Sequence, residues 1–153
     1  MTVIERLAEL GITLPTPMPP VATYVPVTIA GHLVTVSGQL PAMDGKVAVT
    51  GKLGQTVTIE EGQHAARLCL INVLAQLQAA IPGGLDKITK IIRLGGFIAA
   101  TPDFTQHAVV MNGASDLAVA ALGDAGRHAR STIGVASLPL DAAVEVEGMF
   151  WLA

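Results

Sequence analysis

Residues 128–153 read HARSTIGVASLPLDAAVEVEGMFWLA, and two alternating segments stand out within them. Arg130-Ser131-Thr132-Ile133-Gly134-Val135 and Val144-Glu145-Val146-Glu147 flank the turn residues Leu138-Pro139-Leu140-Asp141, which predicts two strands and a short connection. Side chains alternate across a strand, so Glu145 and Glu147 share one face while Val144 and Val146 share the other. If the two strands pair as a hairpin, Arg130 and Glu145 meet near one end of the sheet. A guanidinium that holds a carboxylate, beside a carboxylate that handles a proton, outlines a small-molecule site. An ion pair across two strands accounts for the same residues equally well.

Working outward from this end, residues 104–122 read as a helix that Gly123-Asp124-Ala125-Gly126 terminates, with Asn112-Gly113 as a possible break inside it. Before it, residues 88–99 form a β-branched-rich strand whose Gly95-Gly96 pair predicts a bulge or a close backbone approach. A long helix precedes that strand: Thr58 and Glu61 have capping-box spacing, and Ala65, Leu68, Cys69, Asn72, Val73, Gln76, Leu77 and Ala80 keep one face until Pro82-Gly83-Gly84. His64 and Arg67 lie on its first turns, facing solvent.

Residues 22–29 and 33–37 read as a hairpin around Ala30-Gly31-His32, with Pro26 marking an edge or bulge. Ser37-Gly38 closes its second strand, and residues 47–53 offer a short third one. At the start, Thr2 and Glu5 again have capping-box spacing, and Val3, Leu7 and Leu10 make a short amphipathic helix. Residues 14–20, LPTPMPP, are an extended connector, because proline fixes φ and removes a donor. The order is hairpin, long helix, strand, helix, strand, strand. It predicts an α+β layer protein, a mixed β-sheet with two main helices packed on one face and a short extra helix at the N-terminus. A single domain over residues 1–153 is expected, with 1–20 as helix and connector and 21–153 as core.

Composition narrows the function classes. Hydrophobic residues make up 51% of the chain and charged residues 14%, so one small domain cannot hide its apolar surface and an oligomer is expected. The formal net charge is -3 and no basic cluster combines with aromatics, which argues against nucleic acid as a partner. The one cysteine, Cys69, permits no intramolecular disulfide and fits a reducing cytoplasm. No apolar run has membrane-spanning length, and the N-terminus lacks the layout of a signal peptide. His32, His64, His107 and His128 share no metal-ligand spacing, so no metal is expected. Phosphate-binding glycine loops are missing, and without a G-x-S-x-G elbow a hydrolase triad has no sequence support.

The segment A-R-S-x-x-x-V-A-x-L-P-x-x-A-x-V-E-V-E, from Ala129 to Glu147, together with V-T-V-S-G-Q-L-P at residues 34–41, resembles the Rid (reactive intermediate deaminase) family, also called the YjgF family, with its endoribonuclease L-PSP-like members. Asn112-Gly113-Ala114-Ser115-Asp116-Leu117, Gly126-Arg127-His128-Ala129-Arg130 and the additional N-terminal helix look like a longer branch of it. The resemblance implies a chorismate-mutase-like α+β fold, a homotrimer with clefts at the subunit interfaces, and hydrolysis of enamines and imines of the 2-aminoacrylate type to 2-keto acids and ammonia without a cofactor. It implies that Arg130 holds the substrate carboxylate and that Glu145 stands near the attacking water, making these the catalytic pair. Tyr24, Ser37, Gly38, Asn112 and Thr132 match positions that line the cleft. Thr132 stands where the family often has a cysteine, and Ala22-Thr23-Tyr24 where it has Gly-Pro-Tyr, so substrate choice is the property most open to change. A trimer that binds a small carboxylate without turning it over is the competing reading. A chorismate-mutase-type reaction has only the shared fold behind it.

Overall fold

The structure is a computed structural model that describes residues 1–17 and 23–153. In chain order it contains α1 (Val3–Glu9), β1 (Val27–Ala30), β2 (Leu33–Gln39), β3 (Ala42–Met43), β4 (Lys46–Val47), α2 (Ile59–Ala80), β5 (Ile88–Ala99), α3 (His107–Leu122), β6 (Ala129–Val135) and β7 (Val144–Leu152). Short 3-10 turns lie at Gly84–Lys87, Gly123–Gly126 and Pro139–Asp141. Five strands make one mixed sheet in the order β1-β2-β7-β5-β6, and β3 with β4 forms a separate two-stranded ribbon. β5 and β6 run parallel, as strands joined through a crossover helix must, and the other neighbours in the large sheet are antiparallel.

The last two strands therefore do not form the hairpin considered from their sequence: β5 lies between β6 and β7. The cause is at the end of β5, where the amide of Ala100 donates to Val135 O at 3.1 Å and that of Ala99 to Ala143 O at 2.9 Å. The chain leaves β6 on one side of that end and re-enters on the other. The connection carries Leu140 and Asp141 at φ 56° and 59°, a pair of left-handed residues that bends it sharply.

Helices α2 and α3 pack on each other and cover one face of the sheet, α2 against β2 and β7, α3 against β5 and β6. The core between the layers is almost wholly aliphatic. Leu70, Leu74 and Leu77 of α2 and Met111 and Leu117 of α3 meet Val34, Val36, Leu94, Ile98, Val144, Val146 and Phe150, all buried. The alternation along β7 is clean, with Val144, Val146, Gly148 and Phe150 inward and Glu145, Glu147, Met149 and Trp151 on the uncovered face. That face is left partly apolar, with Ile133 53% and Trp151 44% exposed.

Local signals explain the helix starts. Thr58 Oγ1 accepts from the Glu61 amide at 3.1 Å and begins α2. Thr2 and Glu5 complete a reciprocal capping box on α1, at 3.1 Å and 2.7 Å. The short α1 docks by burying Val3 and Leu7, by the Val3 amide on Asp86 Oδ1 at 2.9 Å, and by Arg6 Nη1 on Ala121 O at 3.4 Å.

Several local expectations are corrected. The strand expected over residues 22–29 begins at Val27, and residues 23–26 are not strand; Ala22 and the connector's residues 18–20 lie outside the described residues. Over residues 47–53 there is no third strand of the main sheet, only the end of β4 and isolated bridges at Thr50 and Leu53. Gly95-Gly96 makes no bulge; the register of β5 shifts earlier, between Ile88 and Lys90 and between Ile91 and Arg93. A Cβ on Gly95 would sit 3.0 Å from Glu147 Cγ, and one on Gly96 2.5 Å from Met111 Sδ, so both glycines make room for side chains instead.

Asn112-Gly113 does not break α3. A Cβ on Gly113 would collide with the Gln63 carbonyl of α2, so this glycine sets how closely the two helices approach. Gly113→Ala is expected to lower stability by about 1–3 kcal/mol, the usual cost of forcing extra volume into a packed interface. A chemical denaturation curve with an unchanged midpoint would contradict this.

Candidate functional site

Arg130 projects from edge strand β6 toward α3, because it shares a face with Leu94, its register partner on β5. Its Nη1 donates to Ser115 Oγ at 3.0 Å and its Nη2 to Ala108 O at 3.2 Å, so two points on α3 hold the guanidinium in place. A hollow of about 260 Å³ opens beside it, lined by Asn112, Ser115, Asp116, Val119, Arg127, His128 and Arg130. The structure thus brings Asn112 and Arg130 to one concave surface. Arg127, at the rim, pairs with Asp124 at 3.5 Å.

Thr132 lies two residues along the same strand and on the same face as Arg130. Its Oγ1 is buried without a hydrogen-bond partner in the described chain. An unsatisfied buried hydroxyl costs about 1–3 kcal/mol.

Glu145 lies elsewhere, on the uncovered face of the sheet. β2 continues through Gln39 where its sequence suggested an exit at Ser37-Gly38, and these two residues form a bulge: Val36 pairs with Gly148, but Gln39 pairs with Val146. A Cβ on Gly38 would lie 2.5 Å from Glu145 Oε1, so the absent side chain makes the space this carboxylate occupies. Ser37 Oγ donates to Val25 O at 2.9 Å and ties the segment carrying the exposed Tyr24 to the same bulge. Ser37, Gly38 and Glu145 are therefore neighbours, with Tyr24 close in the chain. Burial, and after it the Glu147 carboxylate, raises the Glu145 carboxyl above its ordinary value.

The two clusters do not meet within one chain. Arg130 is level with Gly148 through Leu94, and Glu145 is three residues further along β7. Two strand spacings and three residues separate them by roughly 10 Å in each direction. The odd number of residues also puts their side chains on opposite faces. No ion pair between Arg130 and Glu145 exists in this chain, and neither does the intrachain site that a hairpin would have made.

Ser115 and His128 are site residues that motif reading missed. His128 Nε2 lies 2.9 Å from Ser115 Oγ, and its Nδ1 lies 2.6 Å from Gly126 O. Both stand in the segments that mark the longer branch, but a separation of thirteen positions and the absence of a serine-hydrolase motif hide their contact. A larger open hollow of about 580 Å³, lined by Ala48, Val49, Thr50, Glu60, Glu61 and His64, contains none of the expected site residues. Among the described residues, no cluster of three His, Cys, Asp or Glu that could hold a metal comes together, and no helix is long and apolar enough to cross a membrane.

The chain is an α+β layer protein with an arginine-bearing hollow at its edge strand. Residues 4–150 match the profile of a family described as "YjgF/chorismate_mutase-like, putative endoribonuclease", and the chain belongs to that family. It is 45% identical over 148 residues to Protein TCP17 of Trypanosoma cruzi, covering 96% of this chain and 92% of that one. It also resembles the crystal structure of Atu1372 from Agrobacterium tumefaciens, a protein described as of unknown function, with TM-score 0.93, 48% identity and coverage of 99% and 92%. Escherichia coli TdcF, solved with bound serine, superposes with TM-score 0.67 at 26% identity, covering 90% of this chain and 94% of the other.

Proposed function

We propose that the protein hydrolyses reactive enamines and imines of 2-keto acids, of the 2-aminoacrylate type, to the keto acid and ammonia, as a homotrimeric single-domain enzyme of the cytoplasm. The observation that carries this reading is Arg130, held at two points in a hollow with Asn112 and with guanidinium hydrogens left for a ligand. A carboxylate docked there gains charge-assisted hydrogen bonds of roughly 1.5 to 3 kcal/mol each and a fixed orientation. Arg130, Asn112 and Thr132 are one half of the site in this proposal. Tyr24, Ser37, Gly38 and Glu145 are the other half.

The halves lie on opposite faces of one sheet, so a complete cleft needs Arg130 of one copy and Glu145 of another. Glu145 then accepts or orients the proton of the attacking water, while Arg130 fixes the imine carbon beside it. Imines of this kind hydrolyse readily in water, so the barrier to be lowered is modest. A serine-bound relative favours a second reading, a carboxylate-binding trimer without turnover. Release of keto acid from an enzymatically generated imine, above the rate without protein, separates the two. No acceleration leaves the binding reading.

The trimer has its own test. The partly apolar uncovered face and a charged fraction of 14% predict that copies cover one another. Light scattering is expected to give three times the mass of the 15.7 kDa chain. A stable monomer at micromolar concentration would remove both the trimer and the shared cleft.

A further inference from the structure

The hollow at Arg130 contains a pair of residues that the deaminase reading leaves unused. His128 Nδ1 faces a carbonyl, Gly126 O at 2.6 Å, which can only accept, so this nitrogen carries the proton in the neutral ring. Nε2 is then an acceptor, and Ser115 Oγ, 2.9 Å away, donates to it. Arg130 Nη1 donates to the same Ser115 oxygen at 3.0 Å. Donation runs in one direction, from Arg130 to Ser115 to His128 to the Gly126 carbonyl. A hydroxyl oxygen has two lone pairs, and Arg130 uses one. The other is left for a donor in the hollow that Ser115 and His128 both line. A hydroxyl committed to an imidazole acceptor, with a free lone pair at a cavity, is arranged to take a proton and pass it on.

We propose that Ser115 and His128 are the proton acceptor that Arg130's own chain supplies: Ser115 contacts the attacking water, and His128 takes the proton through it. This rests on the deaminase reading. Water adds to the carbon of the protonated imine, its lone pair forming the C–O bond while the C=N π pair becomes the nitrogen lone pair. One water proton passes to Ser115 Oγ as Ser115's own proton passes to His128 Nε2. His128 then returns a proton by the same route to the amine nitrogen, and the C–N bond breaks with its pair leaving on ammonia. The hydroxyl proton passes to that ammonia as the carbonyl forms, so protonated imine and water become keto acid and ammonium. The charged groups around the pair are Arg130 and Arg127, with Asp124 on Arg127, and Asp116 on the α3 side. Glu145 of the same chain is on the other face of the sheet, and the Glu145 that a neighbouring copy brings to the cleft orients the water and leaves its proton to this pair.

The test uses His128→Gln, whose amide can keep both hydrogen bonds but cannot take a proton, and Ser115→Ala, which removes the relay oxygen. For each, kcat and KM are measured with a generated imine, beside the Kd of pyruvate and the pH profile of kcat. The expected result is a kcat at least about 100-fold below the parent in both variants, the scale of a lost acid–base group. Pyruvate affinity should stay near the parent's in His128→Gln, an inflection in the parent's pH profile should be missing from that variant, and Ser115→Ala, which also removes one of Arg130's two anchors, is read on kcat alone. Should His128→Gln fail to fold, His128→Asn, whose amide can still donate to Gly126 O but cannot take a proton, gives the same comparison. Parent-like kcat in either variant overturns the proposal, and so does a kcat loss in the His128 variant matched by an equal loss of pyruvate affinity, which would mean that the pair only holds Arg130. If the parent itself shows no turnover, the deaminase reading falls and takes this one with it, an outcome visible before any variant is made.

Discussion

Arg130→Ala is expected to abolish binding of small carboxylates while leaving the assembly folded. The side chain is half-buried at an edge strand, and its contacts are one hydroxyl and one backbone carbonyl at the mouth of the hollow. Water can reach the vacated Ser115 and Ala108 groups, so truncation avoids the large penalty of an orphaned polar group in the core. The ligand has no such substitute. Losing two charge-assisted bonds removes about 3 kcal/mol or more, a factor of roughly 100 or greater in affinity. Titration calorimetry with 2-keto acids checks this, and a variant that binds them as the parent does would end the anchoring role.

The second large effect is expected at Glu145, set against Glu147 on the same face of β7. Glu145→Gln keeps the shape, removes the carboxylate that orients the attacking water and should lower imine hydrolysis by about 100-fold or more. Its stability should be unharmed. The Glu145 carboxyl is raised by burial and by Glu147, so its contribution to stability is fully present below the ordinary carboxylate range and is lost as pH rises through the raised value. At neutral pH the uncharged glutamine should therefore melt at or above the parent's temperature, and the difference should close on acidification. Glu147→Gln should behave in the opposite way, keeping activity and lowering the melting temperature, since we assign it to pairing between copies, where an unmatched buried partner is costly. Parent-like turnover in Glu145→Gln would end the role of this carboxylate in the reaction.

Much of the architecture was legible from local chemistry. Thr58 to Pro82 marks α2 at both ends because a capping hydroxyl and a proline act on adjacent backbone groups. The alternation of Val144 to Glu147 placed the two glutamates on one face because the period of a strand is two. Arg130 was singled out because a charge among apolar neighbours needs a partner. Local sequence misleads where a distant neighbour decides the conformation. Asn112-Gly113 has the composition of a turn, yet the close approach of Gln63 makes the glycine a packing point inside an unbroken helix. Gly95-Gly96 similarly accommodates Glu147 and Met111.

The sequence by itself determined the elements, their inward and outward faces, the family pattern and the identity of the residues with reactive side chains. These follow from contacts within a few residues, which composition and period encode directly. Which strands lie side by side was decided only by the tertiary structure, because backbone hydrogen bonds carry no sequence label and adjacency in the chain is a weak guide to adjacency in the sheet. The insertion of β5 between β6 and β7 separated Arg130 from Glu145 and put them on opposite faces. The packing of α3 on β6 brought Ser115 and His128 to Arg130, a meeting that no local pattern records.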